Sequence, residues 1–208
     1  MAASPRPGRG VLEAAFAVLD EVRAQAPARL VDLAEATGIP RATVYRLLTQ
    51  LIDVGAVRRT GTRYRLGGSV LGFAAGSRLE RRLRAAAGRP VAELATRTGA
   101  GVSLTLEVSG SAVFVVLIDA REPLGVFAEP GSPVLEGTAI ARAHENHHRL
   151  HVDAGRHTAG LTCVSVPFAL PGNAFATMTT IAHGSRPSPG LLTATQAAAA
   201  RVAELVAL

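Results

Sequence analysis

The stretch that decides the fold is LVDLAEATGIPRATVYRLLTQLIDVGAVRRTGTRYRL, residues 30–66. Apolar residues recur at helical spacing on both sides of Gly38-Ile39-Pro40, which predicts two helices joined by a tight turn. Gly55 ends the second helix, and the turn at Thr60-Gly61-Thr62 predicts a two-stranded hairpin after it. Helix, turn, helix and hairpin in this order predict a winged helix-turn-helix.

The second predicted helix has one apolar and one polar side. Its apolar stripe has the i, i+3, i+4, i+7 spacing of an amphipathic helix and consists of Val44, Leu47, Leu48 and Leu51. The residues beside or opposite this stripe are Arg41, Ala42, Tyr45, Arg46, Thr49 and Gln50. All but Ala42 can donate or accept a hydrogen bond, which is typical of a helix that lies in the major groove of DNA.

The hairpin is rich in arginine, whose planar fork suits both phosphate and guanine contacts. Its four arginines are Arg58, Arg59, Arg63 and Arg65. The alternative is an ordinary three-helix packing unit with a solvated basic surface. The order of the elements, with few spare residues between them, favours DNA binding.

The composition is that of a globular protein. The chain has 208 residues, of which 48% are hydrophobic and 18% charged. It has no apolar run of about 20 residues and no secretory pattern at its start, so we expect a cytoplasmic protein without a membrane span. The single cysteine, Cys163, excludes an internal disulfide.

The positive charge is concentrated at one end of the chain. Residues 1–84 hold 14 arginines against 7 acids, whereas residues 85–208 hold 8 against 9, and the chain has no lysine. A polyanion-binding module beside a neutral module has this distribution.

The remaining segments predict an α+β protein with an antiparallel sheet. An opening helix, Val11 to Ala26, is expected to bury Leu12, Ala15, Phe16, Leu19 and Val22. The later elements are predicted as a linker helix from Ser69 to Arg84 with dimer contacts, a helix from Pro90 to Thr98, strands at 102–108, 113–118 and 124–128, a helix from Gly137 through a histidine-rich stretch, strands at 161–168 and 174–181, and a final helix, 194–207, capped by Thr193. The predicted domains are a DNA-binding domain, 1–66, a linker, 67–84, and an effector-binding domain, 85–208.

These residues resemble the IclR-type family of bacterial transcription regulators. The resemblance rests on LAEATGIPRATVYRLL, RYRLGGSVL, ELATRTG, GTAIARA and GLTCVSVPF, in this order along nearly the whole chain. It implies a homodimer or homotetramer that binds a palindromic operator in double-stranded DNA, in the role of a repressor. It also implies a C-terminal domain of GAF-like fold that binds a small, often acidic or aromatic, metabolite.

The resemblance also implies site residues. The DNA-reading positions correspond to Arg41, Ala42, Thr43, Tyr45 and Arg46, and we add Arg58, Arg59 and Arg63 of the hairpin. The effector positions correspond to the backbone of Ala139 and Ile140 and to Asp153, Cys163, Thr179 and Ile181. The sequence departs from the family at Arg29, where a Ser or Thr cap is usual, at Glu136, where a histidine is usual, and in a helical segment of the effector domain, which is shortened here to AHENHHRLH.

Two other constellations were considered. His144, His147, His148 and His151 have the spacing of one helix face and could make the protein a metal-sensing regulator. Asp153, His157 and Cys163 could be an orienting acid, a base and a nucleophile. Neither has a supporting motif, and we expect no enzyme, no cofactor and no resident metal. A regulator without effector control is the further alternative.

Overall fold

A computed structural model describes residues 10–70, 76–108 and 110–208. The chain divides into two compact units, Met1–Gly76 and Ser77–Leu208. In the described part of the chain, no helix combines the length and the apolar character that crossing a membrane requires.

The first unit is a three-helix bundle with a small antiparallel sheet. Its elements are α1 (Val11–Ala24), β1 (Ala28–Arg29), α2 (Leu30–Thr37), α3 (Arg41–Asp53), β2 (Val57–Thr60) and β3 (Arg63–Leu66). The strand order is β1-β3-β2. Gly38 ends α2 in the left-handed region at φ 67°, which lets the chain turn directly into α3. This is the winged helix-turn-helix that the sequence predicts.

The core of the first unit joins all three helices to the sheet. Its members include Val18, Val22, Leu33, Val44, Leu48 and Tyr64. The predicted face of α1 is wrong in part, because Leu12 is 77% exposed and Phe16 is 67% exposed. The helix buries Ala14, Val18 and Val22 instead. Because α1 is apolar on several sides, the spacing of its apolar residues does not show which face is buried. The small side chain of Ala14 allows α1 to pack closely against the core.

The second unit is a five-stranded antiparallel sheet with helices on both faces. Its elements are α4 (Arg78–Thr98), β4 (Gly101–Val108), β5 (Ser111–Ile118), α5 (Ala139–Glu145), β6 (His151–Ala154), β7 (Leu161–Leu170), β8 (Ala174–His183) and α6 (Pro189–Ala207). The strand order is β5-β4-β8-β7-β6. One face packs on α4 and α6 through a core that includes Leu83, Val91, Leu104, Met178 and Val202. The seven-residue α5 packs against β6, β7 and β8.

Several predicted elements of this unit are wrong. Residues 68–70 are helical, as predicted for the start of the linker helix. The later part of that predicted helix, 78–84, and the predicted helix 90–98 are joined in the single helix α4, which begins after Ser77, whose hydroxyl accepts a bond from the N–H of Glu80 at 3.1 Å. Residues 71–75 of the predicted linker helix lie outside the described residues. The helix α4 continues through Pro90 because its buried stripe, Leu83, Ala87, Val91 and Leu94, runs past the proline on both sides.

Three further differences concern the later elements. Residues 124–128 form no strand, because Gly125 has φ 67° and the segment has no pairing partner among the described residues. The histidine-rich helix ends at Glu145, and β6 follows it. The last helix begins after Ser188, whose hydroxyl accepts the N–H of Leu191 at 3.1 Å, so Thr193 is inside the helix rather than at its cap.

Candidate nucleic-acid interface and ligand site

The helix α3 presents the predicted DNA-reading residues to solvent. Val44, Leu47 and Leu48 hold the helix in the core at 0%, 6% and 1% exposure. The exposed positions of this helix include all five predicted ones, namely Arg41, Ala42, Thr43, Tyr45 and Arg46. The helix therefore presents two guanidinium groups and a phenol to solvent, while its opposite side is packed in the core.

The sheet of the first unit has one face of arginines. Strand β3 alternates, so that Tyr64 is buried while Arg63 and Arg65 are exposed on the other face. The register places Arg29 directly opposite Arg63 and Arg58 directly opposite Arg65. We call Arg29, Arg58, Arg63 and Arg65 the arginine face. Like charges directly opposite each other destabilise a sheet, and the sequences of the three strands contain no acid to offset them.

The arginines of the hairpin differ in what they contact. The Nη1 of Arg63 donates to the carbonyl oxygen of Pro27 at 2.9 Å, which ties the hairpin to the chain before α2. Arg59 is opposite Tyr64 and outside the arginine face. Its Nε donates to the carbonyl of Gly61 at 2.7 Å, and its guanidinium carbon lies 5.8 Å from the centre of the Tyr64 ring. Arg59 therefore stabilises the turn from the opposite side of the sheet.

Two arginines of this face were absent from the predicted DNA contacts. Strand alternation alone places Arg65 beside Arg63, so the sequence contained the signal for it. Arg29 joins the face through β1, which has only two residues and no readable periodicity. It lies at the start of α2, and no side chain caps that helix among the described residues.

In the second unit, the sheet face that meets α5 is lined with buried hydroxyl groups. The register pairs Ser165 with Thr179 and Thr179 with Ser103, and the neighbouring row contains Thr177 and Thr105. The Thr179 hydroxyl donates to the Ser165 hydroxyl at 2.9 Å. This part of the polar face is therefore satisfied by its own side chains.

His144 of α5 contacts the row that contains Thr105 and Thr177. Its Nε2 lies 2.8 Å from the Thr105 hydroxyl. Burial lowers the pKa of His144, and the charge of Glu107 opposes this only in part. Its Nδ1 and the Thr177 hydroxyl are buried without a hydrogen-bond partner in the described part of the chain. The imidazole of His144 is accordingly neutral near pH 7.

Asp153 of β6 is a buried carboxylate at the edge of the hydroxyl-lined sheet face. One oxygen accepts the backbone N–H groups of Arg156 and His157 at 2.9 and 3.3 Å, and the other lies 3.4 Å from Nη2 of Arg142. Burial alone would raise the pKa of Asp153, but these donors outweigh burial and lower the pKa. Asp153 is therefore an ionised residue whose two oxygens are already occupied.

Cys163 is directly opposite Asp153 across β6 and β7. Burial and, to a lesser extent, the charge of Asp153 raise the pKa of the thiol to about 11, although the charge of Arg142 opposes them. Only a thiolate is an effective nucleophile, so this thiol is inert at neutral pH. His157 reaches Asp153 through its backbone N–H. The geometry thus gives no support to a catalytic set of Asp153, His157 and Cys163.

Comparison with protein families identifies the first unit. Residues 11–61 match the IclR helix-turn-helix domain. The chain carries an IclR-type DNA-binding domain. The predicted resemblance is confirmed for this domain, which is a DNA-binding domain of the kind that the IclR family carries.

Solved structures share the fold over nearly the whole chain. An IclR homologue from Microbacterium hydrocarbonoxydans, complexed with 4-hydroxybenzoate, superimposes with a TM-score of 0.73 at 15% identity, covering 95% of this chain and 99% of that chain. The IclR of Thermotoga maritima has a TM-score of 0.64 at 19% identity, with 94% and 96% coverage. An IclR-type regulator from Alicyclobacillus acidocaldarius has a TM-score of 0.65 at 17% identity, with 95% and 97% coverage. No curated protein matches the sequence.

The positions that the IclR resemblance implies for an effector are neighbours in the second unit. Asp153, Cys163 and Ile181 are directly opposite one another across β6, β7 and β8, and Thr179 belongs to the next row. Ala139 and Ile140 begin α5, after Thr138 has capped it by accepting the N–H of Ala141 at 3.1 Å. Because α5 packs against β6, β7 and β8, the fold brings these residues into one region of the second unit. Their role in binding stays a prediction.

The predicted histidine face does not exist. Because α5 ends at Glu145, His147, His148 and His151 lie beyond the helix. His147 stacks on Phe175 with ring centroids 3.7 Å apart, and Nε2 of His151 lies 2.9 Å from the carbonyl oxygen of Asn146. Among the described residues, no group of three or more His, Cys, Asp or Glu side chains is placed to hold a metal ion.

Proposed function

We propose that the protein is a sequence-specific, homo-oligomeric repressor of the IclR type that acts in the cytoplasm on a palindromic operator. The proposal rests on the exposed side of α3, which carries Arg41, Tyr45 and Arg46 in a helix-turn-helix of matching family. In this proposal α3 enters the major groove, where an arginine fork can bind the two acceptors of a guanine. The arginine face contacts phosphates, which position the domain without reading sequence.

A response to a small organic acid is the second part of the proposal. A solved structure of the same fold contains 4-hydroxybenzoate, which is a carboxylate. The second unit of our protein shares that fold and has an ion pair between Arg142 of α5 and Asp153 of β6. A regulator without ligand control remains the alternative, and the paired hydroxyls of Ser165 and Thr179 favour it, because they leave little of that row free for a ligand.

Selection of binding sites from a random duplex library tests the first part. We expect the full-length protein to enrich a two-fold symmetric site, because a homodimer presents two copies of α3. Failure to enrich any sequence would contradict sequence-specific binding.

The variant Arg46→Ala then tests base reading. We expect it to weaken binding to the selected site by about 1–3 kcal/mol and to weaken binding to random DNA less. The control is Arg186→Ala, which removes an exposed arginine of the second unit. An equal loss on both DNAs would make Arg46 a phosphate contact.

A further inference from the structure

We propose that a cleft at the C-terminal end of α5 binds a small anion with two or more carboxylates. This deepens the ligand-responsive part of the proposed function and gives it a site other than the hydroxyl-lined sheet face. The cleft has a volume of about 540 Å³ and is bordered by the end of α5, the segment 146–150, β6 and the turn after it. Pockets for small ligands have volumes of about 300–1,000 Å³.

The charge of the cleft is positive. Three arginines line it, Arg142, Arg149 and Arg156, with Glu145 as the one acid among its lining residues. A guanidinium group binds a carboxylate bidentately, with two parallel hydrogen bonds, and Arg142 already has Asp153 as a partner. The other two groups therefore suit a ligand with two carboxylates. A monocarboxylate would pair with one of these two groups and leave the other unpaired.

Arg142 is held in place at the base of the cleft. Its Nη1 donates to the carbonyl of Gly137 at 2.7 Å, and its Nη2 lies 3.4 Å from a carboxylate oxygen of Asp153. By contrast, Arg149 and Arg156 are exposed, and their guanidinium groups make no hydrogen bond or ion pair within the described residues. The cleft thus combines one oriented cation with two available ones.

The segment that carries Arg149 is tied down at both ends. The N–H of Asn146 donates to the carbonyl of Arg142 at 2.9 Å, and the carbonyl of Asn146 lies 2.9 Å from Nε2 of His151. The Asn146 side chain accepts the N–H of His148 at 3.3 Å. A segment fixed in this way loses less conformational freedom when a ligand binds, which favours affinity.

The sheet face offers an anion much less. Its hydroxyls at Ser165 and Thr179 are bonded to each other, and His144 is neutral. A buried anion needs a charged or multiple hydrogen-bonding partner to offset the loss of water. Among the described residues, the guanidinium groups that meet this requirement near α5 are those of the cleft.

The test is a titration of the full-length protein with citrate, succinate, acetate and inorganic phosphate at constant ionic strength, followed by calorimetry and by the melting temperature. We expect citrate to bind most tightly and acetate most weakly. Arg149→Gln and Arg156→Gln should each weaken citrate about tenfold, because each removes a charge-assisted pair. Arg186→Gln, which removes an exposed arginine outside the cleft, should leave citrate binding unchanged.

Each other outcome contradicts a defined part of the proposal. Equal citrate affinity in the wild type and in both cleft variants would place any ligand elsewhere. If Thr179→Val then abolished binding, the sheet face would be the site and the ligand-responsive function would stand. If none of the anions bound while the selected DNA still did, the cleft proposal would be wrong and the DNA-binding function would be unaffected. Tighter binding of phosphate than of citrate would overturn the assignment to polycarboxylates.

Discussion

Replacing Arg58 and Arg65 together by glutamine should make the first unit more stable and at the same time weaken its binding to DNA. The two residues are directly opposite each other on β2 and β3, and both are exposed. Neither guanidinium group makes a hydrogen bond or ion pair among the described residues, so the double substitution removes a repulsion without breaking a side-chain contact.

The magnitudes follow from this arrangement. A directly opposed cross-strand pair contributes about 0.2–1 kcal/mol, so removing the repulsion should raise the free energy of unfolding by roughly that amount. Each lost phosphate contact should flatten the slope of log K against log salt by about 0.9, so the double variant should lose about two units.

Tyrosine fluorescence gives a direct measure of the stability of this unit. The chain has two tyrosines and no tryptophan, and both tyrosines, Tyr45 and Tyr64, are in the first unit. Tyr64 is 3% exposed, so its emission should change when the core opens. Urea titration followed by this signal, together with DNA titrations at several salt concentrations, measures both effects on one protein.

The charge-matched control is Arg186→Gln with Arg201→Gln, which removes the same two charges from exposed positions of the second unit. It should change neither the tyrosine-detected transition nor the salt slope by a comparable amount. A loss of stability on replacing Arg58 and Arg65 would refute the repulsion between the two opposed arginines. An unchanged salt slope would refute the assignment of the arginine face to phosphates.

Two further predictions concern the second unit. Because burial lowers the pKa of His144 from its usual 6.5, the unfolded chain takes up this proton first as the pH falls, and stability should decrease below about pH 6.5. Urea unfolding followed by circular dichroism should show a weaker pH dependence in His144→Gln, and an identical dependence would refute the cause. Thr179→Val should cost about 1–3 kcal/mol of stability, because it leaves the buried Ser165 hydroxyl without its donor. Adding Ser165→Ala should restore part of this loss in the same assay, and a further loss would contradict the pairing.

The helix-turn-helix could be predicted because its signals are local. Gly38 and Pro40 mark the turn between α2 and α3, and the stripe of α3 has a polar opposite side that fixes its orientation. The buried face of α1 could not be predicted in this way, because apolar residues lie on several sides of the helix and only packing selects Val18 over Phe16.

The second unit was harder to predict because its sheet depends on distant pairing. Strand β4 alternates clearly, but β6 has four residues and owes its existence to pairing with β7. Residues 124–128 have the apolar character of a strand without a partner to pair with. The cleft at the end of α5 was also missed. Arg142, Arg149 and Arg156 are seven residues apart, but the helix ends at Glu145, so this spacing does not describe one helix face, and the three come together only through the turn around Asp153.

The arginine face consists of groups whose charge is permanent. An arginine does not lose its proton at any pH that a cell reaches, and the chain has no lysine that acetylation could neutralise. The acetylation of side-chain amines therefore has no target among Arg29, Arg58, Arg63 and Arg65. In the proposed complex, release from DNA therefore comes from displacing this face or from counter-ions that compete with it for the phosphates.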